Sequence, residues 1–253
     1  MLENFKDTDD SALPRRNPES YLAQKVKKLV PYSVDSWSPE LLERCIVTRT
    51  PFVMPESVHE KIIHGEDIQE SDWPELAAEL KDSRSFIRLG GASPKDALAE
   101  TAVIAKPAAI LGFHGAMLAL SSSERTFDLL VGHWHASIPA TVWVSPFVPI
   151  SPQDEWRCVI LDGQLRAISQ YYWPVPTNIT TDRAQNIKEA IVELYRSMKH
   201  LLPETCVMDV VAQNRAAGFL EMNPLAQSDL CLIPVKLPEQ LTVYYRTAKT
   251  IEV

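Results

Sequence analysis

Glycine is scarce in this chain, with 8 in 253 residues against 19 prolines. Fixed turns should therefore outnumber flexible linkers. Cysteine is scarce too. Cys45, Cys158, Cys206 and Cys231 lie far apart and no CxxC pair occurs, which excludes a zinc ribbon and a disulfide framework. Buried free thiols in a reducing, cytoplasmic compartment are the expectation. Long apolar runs are missing. The longest, residues 102–120, is broken by Lys106, Pro107 and His114, so no transmembrane helix is expected. The first twenty residues, MLENFKDTDDSALPRRNPES, lack the apolar stretch of a signal peptide. Basic residues are outnumbered, giving a net charge of −8. That balance argues against sequence-independent nucleic-acid binding, which needs a basic surface.

Familiar catalytic motifs are also missing. No GxGxxG, GxSxG or HExxH occurs. Gly90-Gly91 followed by Lys95 sits where a phosphate loop would, but a Walker loop needs a glycine directly before its lysine. Here Pro94 precedes Lys95, and proline removes a backbone N–H that such a cradle uses.

What is present suffices for a sizeable core: 45% of residues are hydrophobic, enough for one large domain or two lobes sharing a cleft. SPELLERCI (38–46) has an N-cap serine, a proline at the first helical position and early glutamates. FVMPESVHEKII (52–63) predicts a strand and then a helix, DWPELAAELK (72–81) an amphipathic helix, and SFIRL (85–89) a strand. Ser93 repeats the helix-start pattern and predicts a helix toward Lys106, with another over 108–121. ATVWVSPF (140–147) is β-rich. Asp162-Gly163 between two β-rich runs, within 156–173, predicts a type I′ hairpin. Residues 181–202 carry an apolar helical stripe. Residues 206–213 and 218–224 predict a second hairpin.

That second hairpin holds the most specific local signal. Glu221 and Asn223 are two apart on one strand and share a face, with Asp209 roughly opposite. Three oxygen donors on one face suit a hard cation such as Mg²⁺ with nucleotide phosphates; an ordinary solvated hairpin face is the plainer alternative. Asp209 sits among Val207, Met208, Val210 and Val211, where an inward carboxylate needs a partner. Arg88 and Arg157 offer guanidinium forks suited to phosphate, or are surface strand arginines. His133 and His135 fall on one side of an extended segment and, with His114, could begin a zinc site, although no strong spacing supports it.

Four segments resemble the cell division cycle protein 123 (D123) family. RLGGASPKDA (88–97) is similar to its KLNWSAPKDA-type segment and keeps PKDA. FVPISPQDEWR (147–157) resembles its W-V-x-I-x-P-x-x-E-F-R segment. LRAISQYY (165–172) resembles I-G-I-S-Q-R-D, and VMDVVAQNRAAGFLEMNP (207–224) resembles F-D-V…L-I-D-F-N-P. Order and spacing hold over about residues 30–225.

The resemblance implies an α+β ATP-grasp fold: two lobes clamping the nucleotide, with an antiparallel sheet in the C-terminal lobe. The polar residues 1–18 read as a disordered tail, and the resemblance implies an N-terminal lobe over 19–140 and a C-terminal lobe with a magnesium-binding hairpin over 141–253. It implies that Arg88 and Arg157 act catalytically on phosphate. ATP would be bound by Arg88, Gly90, Gly91, Val144, Ser145, Pro146, Val148, Glu155, Arg157 and Tyr171, and Mg²⁺ by Asp209, Glu221 and Asn223. The chain departs from the family at Gly90-Gly91, which replace Asn-Trp and imply a more open loop, at Ser145 and Tyr171, which replace arginines, and at Glu221, which replaces aspartate. An ATP-dependent ligase working through an acyl phosphate is the first expectation, with Lys95, Arg166 and Arg215 as candidates for an acid-substrate subsite. A non-enzymatic ATP-binding assembly factor for translation initiation factor 2, or a similar protein partner, is the second. A kinase-like phosphoryl or nucleotidyl transferase is a weaker third.

Overall fold

The computed structural model describes residues 18–81, 84–97, 109–172, 177–247 and 251–252. The expected tail over 1–18 lies outside them except for Pro18, which opens a helix. The chain forms two compact units. Among the described residues, one comprises those up to Trp37 together with Val47–Val148; the other comprises Ser38–Ile46 and those from Pro149.

The first unit contains helix α1 (Pro18–Leu29); α2 (Pro39–Glu43) belongs to the second unit. Strand β1 (Thr50–Val53), helices α3 (Glu56–His64) and α4 (Pro74–Leu80), and strands β2 (Arg84–Leu89) and β3 (Ile110–Leu111) follow. Helices α5 (Gly112–Ser122) and α6 (Glu124–Ala136) and strand β4 (Thr141–Pro146) complete the first unit. Its antiparallel sheet runs β1-β4-β2-β3. Period-two alternation sends Ile87, Leu89, Val142 and Val144 into the core, where Val58, Ile62, Leu76, Leu80, Phe113 and Leu130 meet them. Arg88 and Trp143, register partners, take the other face.

Residues 93–97 form no helix in the structure, and the rest of the helix predicted toward Lys106 lies outside the described residues. Asp96 instead serves the start of α6. Its carboxylate accepts a 2.6 Å hydrogen bond from Ser123 Oγ and one from the Arg125 amide. Burial raises the Asp96 pKa, but these bonds outweigh it and hold the carboxyl below its usual value. Ser123 in turn accepts from the Thr126 amide as N-cap.

Helix α6 corrects the extended reading of residues 133–135. ERTFDLLVGHWHA is helical, with Leu129, Leu130 and His133 buried at helical spacing. His133 bonds the Ile138 carbonyl oxygen through Nδ1 at 3.2 Å. His135 lies 3.9 Å from Glu19, and His114 is exposed on α5. The three do not assemble as a metal site.

The second unit is built on a six-stranded sheet. Its strands are β5 (Glu155–Leu161), β6 (Gln164–Gln170), β7 (Cys206–Gln213), β8 (Ala216–Asn223), β9 (Thr242–Arg246) and β10 (Ile251–Glu252), in the order β10-β9-β6-β5-β7-β8. Every pairing is antiparallel except β6–β9, which is parallel. Asp162 and Gly163 both take left-handed φ, 52° and 64°, as a type I′ turn requires. Helix α7 (Thr181–Met198), capped by Thr180, contributes the buried side chains Ile187, Ile191 and Met198 and packs on β7 and β8. Asp154 is 5% exposed. It joins α7 to the sheet by accepting from Arg183 Nη2 at 2.7 Å and from Gln213 Nε2 at 2.8 Å.

Candidate functional site

The second unit's sheet carries charge on a face that is otherwise apolar. Val159, Ala167, Val207, Leu225 and Ile233 form one end of that face. Alternation from Val159 and Val207 puts Arg157, Glu155 and Asp209 on the same side. Ser169, Arg157, Asp209 and Glu221 are successive register partners on β6, β5, β7 and β8, so they form a row across the sheet.

A bulge sets the last member of this row. From the turn outward β8 pairs regularly, ending at Val210 with Phe219, and Asp209 then pairs with Glu221. Leu220 is the extra residue. In an unbulged hairpin Asp209 would face Leu220, and Glu221 would face Met208. The bulge re-aims Glu221 and Asn223 toward Asp209.

Arg157 and Asp209 form the centre. Asp209 is 0% exposed and Arg157 is 6% exposed. Arg157 Nε donates to Asp209 Oδ1 at 2.8 Å and Nη2 donates to Oδ2 at 2.7 Å, a bidentate fork. Arg157 Nη1 donates to the Asp229 carbonyl at 2.6 Å. The Tyr171 ring lies 4.6 Å from the guanidinium carbon, in cation–π range. Burial works against the arginine's charge, but Asp209 outweighs it and raises the guanidinium pKa well above the ordinary value. Asn223 Nδ2 donates to Asp209 Oδ2 at 3.2 Å and to Glu221 Oε1 at 3.4 Å.

The donor set fits Mg²⁺ in kind: carboxylates from Asp209 and Glu221 and an amide from Asn223 are hard oxygen donors. Asn223 must turn its amide over to present Oδ1. Among the described residues no cluster of three or more His, Cys, Asp or Glu side chains suits a metal, so an amide, water and phosphate oxygens must complete any coordination here. Cys231 lies beside this site. Burial pushes its thiol up to about 12, with Arg157 pulling the other way. That shift favours the protonated thiol near neutral pH.

The structure thus gathers Glu155, Arg157, Tyr171, Asp209, Glu221 and Asn223 in one unit. The remaining sequence candidates, Arg88, Gly90, Gly91, Val144, Ser145, Pro146 and Val148, belong to the other. Arg88 is 2% exposed, and its Nε donates to the Gly90 carbonyl at 3.1 Å. Gly90 does not open the loop. A Cβ there would collide with Asp35 Oδ2 and Ser33 Oγ, because the Ser33–Asp35 turn packs directly on the glycine. Asp35 is held there by Ser33 Oγ at 2.7 Å and by Trp143 Nε1 at 2.7 Å. Val144 is core, Ser145 is buried, Pro146 is exposed, and Val148 is 48% exposed.

Of the three further basic candidates, Lys95 lies in the turn after Ala92. Arg166 donates to the Glu239 carbonyl at 3.3 Å. Arg215 bonds Asn186 at the hairpin tip, roughly 17 Å along the strands from Asp209 at strand rise.

The sequence matches an ATP-grasp domain family, described as family 3 of its clade, over residues 23–240. No curated protein matches it. Among solved structures, it is similar to Cdc123 from Schizosaccharomyces pombe at TM-score 0.65 and 17% identity, covering 86% of this chain and 96% of that one. A C-terminally truncated Cdc123 from the same organism is similar at TM-score 0.66 and 15% identity, covering 86% and 97%. These likenesses agree in fold with the D123 resemblance of the sequence. The α+β architecture and the match over most of its length make this chain a member of that ATP-grasp domain family, whose fold supports ATP binding.

Proposed function

We propose that this protein binds Mg²⁺ and ATP and spends the ATP in a ligase reaction. A carboxylate substrate would take the γ-phosphoryl group, and an amine or thiol would then attack the acyl carbon and release phosphate. The observation that carries the reading is the row of buried Arg157, buried Asp209 and half-buried Glu221, with Asn223 beside it. Arg157 and Asp209 offset each other's desolvation on this face, and Glu221 with Asn223 adds oxygen donors that a metal-bound phosphate can use. Asp209, Glu221 and Asn223 would hold Mg²⁺, which when bound would neutralise charge on the phosphate oxygens. Arg157 would orient phosphate, and the remaining catalysis would be positioning. Glu155 and Tyr171, in the same unit as Arg157, would contribute to nucleotide binding in a cytoplasmic protein.

Release of ADP and phosphate from ATP with magnesium, with pooled carboxylates and amines as acceptors, tests the ligase reading. Turnover that depends on an acceptor supports it, and no turnover under any condition rejects it. A second reading, an ATP-binding assembly factor for translation initiation factor 2 or a similar partner, draws on the 96% coverage of Cdc123. It predicts nucleotide binding without turnover.

A further inference from the structure

A cation is already present at the Asp209 carboxylate: the Arg157 guanidinium. It takes both carboxylate oxygens, at 2.8 and 2.7 Å. It is itself fixed by the Asp229 carbonyl and by the Tyr171 ring. Asn223 presents its N–H side, rather than its carbonyl oxygen, to Asp209 and Glu221. Arg157 and Asn223 are two donors to these carboxylates that a divalent cation must turn away.

We propose that Arg157 is a resident counter-ion of this site, so that free divalent cation is refused and Mg²⁺ enters together with the nucleotide. The proposal rests on reading Asp209, Glu221 and Asn223 as the magnesium donors. Mg²⁺ gives up its water reluctantly. Alone, it would have to shed water and sit beside a buried guanidinium of like sign. A triphosphate changes both terms. It brings the cation partly dehydrated, and its oxygens offer the guanidinium fork an anion in exchange for Asp209. Binding of metal and nucleotide is therefore coupled, and the coupling passes through one side chain.

Mn²⁺ serves as the probe, with free ion counted by electron paramagnetic resonance. Wild-type protein should bind Mn²⁺ alone about ten-fold or more weakly than it does with ADP present. Arg157→Gln should bind Mn²⁺ alone about ten-fold more tightly than wild type, while its ADP affinity falls. Arg157→Lys, which keeps the charge without the fork, should lie between them. The proposal is overturned if folded Arg157→Gln binds Mn²⁺ alone no better than wild type. It is equally overturned if wild type binds Mn²⁺ as tightly without ADP as with it, a comparison that needs no variant to fold. Failure of the underlying site reading looks different: Asp209→Asn would then keep full Mn²⁺ binding in the presence of ADP.

Discussion

Arg88 on β2 and Arg157 on β5 are both buried on sheet strands, at 2% and 6% exposure. Arg88 turns back on its own loop and donates to the Gly90 carbonyl two residues on. Arg157 reaches across to the neighbouring strand and forks onto a fully buried carboxylate. Burial is the same and the chemistry is not. The Arg88 bond to Gly90 ties the end of β2 to the loop that follows it. An arginine closed on a buried carboxylate beside a second carboxylate and an amide is a charged site held ready, because water no longer competes for the group.

The largest expected effect breaks the second arrangement. Asp209→Ala strands a buried guanidinium, and urea unfolding should show a loss of about 3–5 kcal/mol. Thermal stabilisation by Mg-ATP should vanish in the same variant. Next comes the loop. Gly90→Ala drives a methyl into Ser33 and Asp35 and should cost about 1–3 kcal/mol. Gly91→Ala meets only ordinary van der Waals neighbours and should stay within about 0.5 kcal/mol. Equal losses at the two glycines would refute the packing account of the loop. Arg88→Met removes the hydrogen bond to Gly90 and should cost about 1 kcal/mol or more. A loss as large as that of Asp209→Ala would erase the contrast between the arginines.

The smallest effect is a pH dependence in the first unit. Burial lowers the pKa of His59, with the Leu130 carbonyl opposing and His133 adding to the shift. Burial also lowers that of His133, with Ile138, Asp35 and Pro139 opposing. Unfolding returns each to about 6.5, so the unfolded chain binds more protons below that pH. Stability is complete above it and falls as pH drops toward the folded values. The midpoint of thermal unfolding should be lower at pH 5.5 than at 7.5, and His133→Asn should make that slope shallower.

Much of this was legible in the sequence. The Asp162-Gly163 turn, the α7 stripe and the SFIRL strand follow from local rules that tertiary context did not override. Glu221 and Asn223 were visible as a pair because alternation on one strand puts both on one face. The Leu220 bulge was not visible. It is a pairing property of two strands, and without it the hairpin register would have placed Glu221 opposite Met208. The Asp209 carboxylate signalled the need for a partner, but nothing local says that Arg157, 52 residues away, supplies it. Helix α6 was missed because Trp134 between two histidines looked like alternation, although Ser123 and Glu124 gave the start signal. Gly90 looked like an open loop because the turn that fills it, Ser33–Asp35, lies far back in the chain.

Everything proposed for this site depends on Asp209 holding ATP through magnesium. Calorimetric titration of ATP into wild-type protein and into Asp209→Asn, each with magnesium and with EDTA, tests it most directly. Binding in wild type that needs magnesium and is lost in the variant is the predicted result. ATP binding that is equally tight with EDTA, or unchanged in Asp209→Asn, would contradict it.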